Sequence, residues 1–91
     1  MEKQDFATIG NYLNEASRFS YSEKEMEENI ETYWNEYQWS KANNKVSTIL
    51  QGLMFYMVED MDFQDYSDTE NVVKTVEEMD KVLEDFLEEI K

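Results

Sequence analysis

Apolar side chains recur along this chain at steps of three and four, the spacing that stacks them on one face of a helix. Phe6, Ile9, Leu13 and Ala16 open the pattern and predict a first helix over 4–19. Ser22, with Glu25 three residues on, has the form of a capping box, in which each side chain satisfies a first-turn backbone N–H that has no intrahelical partner. A second helix over 23–39 follows, with Met26, Ile30, Tyr33, Trp34 and Tyr37 inward and Glu23, Glu27, Glu28, Glu31 and Glu36 outward. Beyond a polar connector at 40–44, Val46, Ile49, Leu50, Leu53, Met54, Met57 and Met61 form a wide apolar stripe. It reads as a third helix over 44–61, the most buried of the set.

Gly52 and the β-branched Val46, Thr48 and Ile49 weaken that third element, since glycine costs a helix interior about 1 kcal/mol relative to alanine. A hairpin over 45–58 is its rival. Ser67 and Glu70 repeat the capping-box form, with Asp68 and Thr69 as alternative caps. Val72, Val76, Met79, Leu83, Phe86 and Ile90, widened by Val73, Val82 and Leu87, then predict a last helix over 69–90. The chain has no proline and two glycines, which leaves little of the turn chemistry an all-β protein needs. The expected fold is all-α, a small antiparallel bundle of three or four helices in one domain spanning 1–91; the alternative is α+β with the hairpin.

Composition narrows the class. At 91 residues the chain is long enough for one small core, and with 41% hydrophobic residues it is too apolar to be a disordered acidic tail. Cysteine is absent, so no disulfide or thiolate metal site forms. The opening MEKQDFATIG lacks the apolar stretch of a signal peptide, and no apolar run approaches the ~20 residues of a membrane span. A soluble, cytoplasmic protein with no membrane partner is expected.

Charge changes the picture most. Asp and Glu number 22 against 8 Lys and Arg, a formal net charge of -14 with no histidine. By segment the balance is -1 over 1–21, -5 over 22–40, +2 over 41–58, -6 over 59–70 and -4 over 71–91. Opposite charges at i,i+4, such as Glu77 with Lys81 and Lys74 with Glu78, are outweighed by like charges at the same spacing, Glu84 with Glu88 and Asp85 with Glu89. Such like pairs cost a few tenths of a kcal/mol each. A field this negative repels nucleic acid and anionic membrane and attracts basic protein surfaces.

Carboxylates four apart on a helix stand roughly 6 Å from one another, close to the phosphate spacing along a nucleic-acid strand. The expected function is therefore inhibition of a basic partner, a nuclease or other nucleic-acid-binding protein, by occupying its positive surface. Glu27, Glu31, Glu59, Asp60, Asp62, Asp65, Asp68 and Glu70 are the expected contacts, with Phe63 and Tyr66 interleaved as aromatic anchors. If the second helix, the 59–70 segment and the last helix are neighbours, their acids form one continuous negative face. In composition the chain resembles the small acidic inhibitors carried by phages and mobile elements, such as anti-CRISPR and anti-restriction proteins, although no motif ties it to a family.

Two other readings use the same residues: an immunity protein or antitoxin neutralising a basic toxin, and a helical structural protein self-associating through its last helix. The high net charge limits the latter to a monomer or weak homodimer. Asp60, Asp62 and Asp68 fall at the first, third and ninth places of an EF-hand loop, but Asp65 replaces its glycine and Asn71 its closing Glu, so no metal is expected. Without His or Cys, and with no Gly-rich phosphate loop, neither a catalytic group nor a cofactor site is expected. Tyr33, Trp34, Tyr37 and Trp39 are too crowded for all to face one core. Trp39 is the candidate for the surface, as an anchor or as a cap over the open end of the bundle. Gly10 and Gly52 read as close helix crossings.

Overall fold

The computed structural model of the protein describes residues 1–61 and 73–91, with the backbone alone for 58–61. Among these residues are four α-helices and no strand: α1 (Lys3–Glu15), α2 (Glu23–Asn43), α3 (Thr48–Met61) and α4 (Val76–Ile90). The chain is all-α, and the hairpin over 45–58 does not form. Leu50, Leu53, Met54 and Met57 are buried together along one side of α3, a placement that only the helical period produces.

The helices close a ring, α1 packing on α2 and α4, and α3 packing on the same two. α1 and α2 run antiparallel: Phe6 lies 5.3 Å from Tyr37 between ring centroids, while Gly10 sits against Met26 and Ile30. A Cβ on Gly10 would come within 2.9 Å of the Met26 methyl carbon, so this crossing is as close as the glycine suggests. Gly52 differs. Among the described residues nothing lies within 4 Å of a Cβ built there, and no helix crosses it. At the centre of the ring Phe6, Ile9, Leu13, Met54, Met57, Met79, Val82, Leu83 and Phe86 are completely buried. Leu50 of α3 is buried as completely, and the side chains of Val58 and Met61 at the end of that helix lie outside the described residues.

Helix ends differ from the periodicity at four places, each for a local reason. α1 stops at Glu15 rather than 19 because Ser17 takes the left-handed conformation, φ 64°. The Ser17 N–H then donates to the Asn14 carbonyl at 3.2 Å and the Arg18 N–H to the Leu13 carbonyl at 3.0 Å. Glycine usually marks this motif, and none is present. α2 continues past 39 to Asn43 and stops at left-handed Asn44, φ 52°.

The polar residues that suggested a connector at 40–44 are part of that joint. Ser40, fully buried, donates its hydroxyl to the Glu36 carbonyl at 2.8 Å and accepts the Ser47 N–H at 3.0 Å. Ser47 in turn caps α3, its hydroxyl accepting the Leu50 N–H at 3.1 Å, so α3 starts at 48 rather than 44. α4 starts at Val76, where the Thr75 hydroxyl accepts the Glu78 N–H at 3.1 Å. Val73 and Lys74 are not helical; Val73 is buried, and its carbonyl accepts from the Gln51 side chain at 3.4 Å. The Ser67–Glu70 box and 69–72 lie outside the described residues. The Ser22–Glu25 box forms with both bonds, at 3.2 and 3.0 Å.

The serine relay yields a stability prediction. Ser40→Ala leaves the buried Ser47 N–H without its acceptor, and such a group costs about 1–3 kcal/mol. Urea denaturation should show a loss in that range, with Ser40→Cys no better; a loss below the precision of the method would mean that water replaces the hydroxyl.

Candidate protein-binding surfaces

The acids of α2 are displayed by its amphipathic register. Met26, Ile30, Tyr33 and Tyr37 face the core, which leaves Glu23, Glu27, Glu28 and Glu31 exposed to solvent. Glu15, Glu23 and Glu27 line a shallow cleft between α1 and α2, floored by Ala7, Met26 and Ile30. Glu31 accepts an ion pair from Lys3 across the same pair of helices. Glu25 is held below the usual carboxylate range, first by the Ser22 backbone N–H and then by the Ser22 hydroxyl, so it stays ionised at the helix start.

On α4, Glu77, Glu84, Asp85, Glu88 and Glu89 are exposed. Lys81 pairs with Asp85 at 3.1 Å. α2 and α4 occupy opposite corners of the ring, with α1 and α3 between them. The middle element of the expected continuous negative face, 62–70, lies outside the described residues. The two helices join where Asp80 accepts the Tyr37 hydroxyl at 2.9 Å and Lys41 at 2.7 Å, with the ammonium 5.7 Å from the Tyr37 ring.

Of the expected contacts, Glu27 and Glu31 are thus on the outside of α2. Glu59 and Asp60 are on the last turn of α3. Asp62, Phe63, Asp65, Tyr66, Asp68 and Glu70 lie outside the described residues, as do the EF-hand positions beyond Asp60. Among the described residues no group of three acids is arranged to hold a metal ion, and no helix is long and apolar enough to cross a membrane.

A second surface was not anticipated. Ile49, Phe55 and Tyr56 on α3 are exposed at 43%, 38% and 38%, and Trp39 of α2 at 44%. Ile49 was expected inside the α3 stripe; it lies on the turn where that helix faces outward. The 16–22 connector supplies the far wall. Asn14 fastens it by accepting the Tyr21 N–H and donating to the Tyr21 carbonyl, both at 3.1 Å. Phe19 then sits 5.2 Å from Tyr21 and 5.3 Å from Tyr56 between centroids, the latter edge to face.

Between this wall, α2 and α3 runs a cleft of about 590 Å³ floored by Tyr33, Gly52 and Leu53. Burial pushes the Tyr33 hydroxyl up to about 12, with Tyr21 and Tyr56 adding smaller effects in the same direction. Trp39 and Ile49 line a neighbouring cleft with Val46 and Ser47 at the α2–α3 turn. Trp39 is thus at the surface, over one end of the bundle, as its crowding with Tyr33 and Tyr37 required. A signal for the aromatic face existed in the sequence. The thirteen residues from Val46 to Val58 include no charge, in a chain one third charged, and an apolar helix with no polar side has a face to spare.

Among the described residues, fold and surfaces together define a small acidic protein of four helices with carboxylates on the outward sides of α2 and α4 and an aromatic patch on α3. No protein family, curated protein or solved structure matches the chain.

Proposed function

We propose that this protein binds a basic, nucleic-acid-handling protein and blocks its positive surface, acting as an inhibitor rather than an enzyme. The observation that carries the reading is the display of acid. Along α2 and α4, while Glu31, Asp80 and Asp85 hold ion pairs with Lys3, Lys41 and Lys81, Glu23, Glu27, Glu28, Glu77, Glu84, Glu88 and Glu89 are exposed to solvent at a net charge of -14. Their mutual repulsion destabilises the compact state, and a cationic partner relieves it. The phosphate-like row we propose is Glu23, Glu27 and Glu31 on α2, with the acids of the 59–70 sequence as further contacts.

A salt-graded pull-down from host lysate, followed by competition with nucleic acid, tests this. A basic nucleic-acid-binding protein should be retained, elute late in the gradient and be displaced by DNA or RNA. Retention equal at low and high salt refutes the proposal. Reversing charge at Asp60, Asp62 and Asp65 to Lys should weaken the captured complex by about a hundredfold or more, with helical circular dichroism unchanged. Reversing Glu23 and Glu27 in a second variant assigns the contact to α2 if that variant loses binding instead. An immunity protein would rest on the same complementarity, and capture of a single cognate toxin distinguishes it.

A further inference from the structure

We infer that the cleft between the 16–22 connector, α2 and α3 receives an arginine side chain of a protein partner, its guanidinium set against the Tyr33 hydroxyl and stacked among the rings of Phe19, Tyr21 and Tyr56. Tyr33 is the group that points to a ligand. It is only 7% exposed, yet its hydroxyl makes no hydrogen bond among the described residues. No buried side-chain polar atom among those residues lacks a partner, so this hydroxyl must reach solvent, and the solvent that Tyr33 borders is the cleft. A tyrosine more than nine-tenths buried thus aims one unpaired polar atom into an open site.

The α2 wall of the cleft supplies acceptors. Thr32 spends its one O–H on the Glu28 carbonyl at 3.1 Å, and Asn29 turns an amide N–H to the Glu25 carbonyl at 2.8 Å. What is left of both for a ligand is mainly oxygen. Glu25, roughly 12 Å from Tyr33 along the α2 axis, commits Oε1 to the Ser22 N–H and adds a carboxylate to the same lining. The connector and α3 bring aromatic faces. A guanidinium matches both walls, because it carries five donors and no acceptor and is flat enough to stack on tyrosine and phenylalanine rings. Lysine offers the charge without the flat face, and an anion is repelled by a chain at -14. Arg18, on the rim, is engaged in an interaction of its own.

Gly52 keeps the floor open. A Cβ built there meets nothing within 4 Å among the described residues, so a larger side chain at this position stands in the cleft. Glycine is a poor helix former, and no packing among these residues calls for it here. That the arginine belongs to the basic partner proposed above rests on that reading; the preference of the cleft for guanidinium does not.

The test is an NMR titration of the full chain, isotope-labelled in its tyrosine rings, with N-acetyl-arginine methylamide. Saturable shifts of Tyr21, Tyr33 and Tyr56 are expected, with a Kd on the order of 1–10 mM. The citrulline analogue, close in shape but uncharged, should bind about tenfold more weakly, and the lysine analogue about threefold more weakly. Tyr33→Phe removes only the hydroxyl and should weaken arginine binding about fivefold or more. Gly52→Leu should abolish it while raising the melting temperature, opposed effects that a glycine serving only the fold does not produce. Glu25→Gln keeps the capping box and should cost about twofold at low salt. No saturable shift of these rings, citrulline binding as tightly as arginine, or arginine binding indifferent to both Tyr33→Phe and Gly52→Leu overturns the inference. Arginine binding that Gly52→Leu abolishes supports it even if the salt-graded pull-down captures nothing, in which case the reading above fails alone. A captured basic partner that Gly52→Leu leaves equally retained overturns the inference and spares that reading.

Discussion

Phe6→Ala is expected to remove about 3–5 kcal/mol of stability, enough to unfold much of a small domain whose total margin is on the order of 5–15 kcal/mol. The Phe6 ring is completely buried, 5.3 Å from Tyr37 and 6.1 Å from Trp34 between centroids, and it ties α1 to the part of α2 that also holds α4 through Asp80. Removing it opens a cavity among aromatic side chains too large to close it by a change of rotamer. Phe55→Ala is the control. The same chemical change on the outward side of α3 should cost under about 1 kcal/mol in dilute protein, since Phe55 is 38% exposed and lies outside the buried core. Urea melts of the two variants side by side decide this, and equal losses would place Phe55 in the core.

The second large effect is alkaline. Tyr33 is neutral in the fold up to about 12, against 10.0 for a solvated tyrosine, mainly because burial penalises the tyrosinate. Tyr37 is also raised, by burial first and then by its bond to Asp80, and Lys41 is raised by the same carboxylate. For each, the folded state holds its proton more tightly than the unfolded chain. The stability they contribute is therefore complete below pH 10 and is lost as pH climbs from there through about 12. For Tyr33 alone the loss is about 1–2 kcal/mol, allowing for the water that reaches the cleft side of the ring.

The added repulsion of new tyrosinates on a chain already at -14 acts in the same direction. Ultraviolet titration of tyrosinate should show a late class among the six tyrosines that merges with the early class in denaturant. The unfolding free energy should decline across the same interval. A single early transition in the native protein would contradict the placement of Tyr33. Tyr33→Phe should keep more of its stability at pH 11 than the parent chain.

How far the surfaces were legible depends on what kind of signal each one needed. Glu27 and Glu31 were readable as outward because the 3.6-residue period that buries Met26 and Ile30 also turns them to solvent. Whether α2 and α4 share a face depends on the order of helices around the ring, which no local pattern encodes. Here the order sets them at opposite corners. Ile49 was misplaced for a related reason: Ile49, Leu50, Leu53, Phe55, Tyr56 and Met57 cover most of the circumference of α3, so periodicity supplies no preferred side. Gly10 and Gly52 look alike in the chain, yet one is filled by Met26 and the other is open.

What the sequence by itself determined are the local choices: helix over strand, the Ser22–Glu25 start of α2, the inward rows of α1, α2 and α4, and the concentration of acid outside 41–58. These follow from interactions within a turn or two of helix, where neighbours in sequence are neighbours in space. Tertiary structure decided where helices end and which faces meet. Ser17 and Asn44 take left-handed conformations without glycine, and the Ser40–Ser47 relay turns polar residues into a buried joint. Packing around the ring then leaves Ile49, Phe55 and Tyr56 of α3 in solvent, because a helix apolar on both sides has only one core to face.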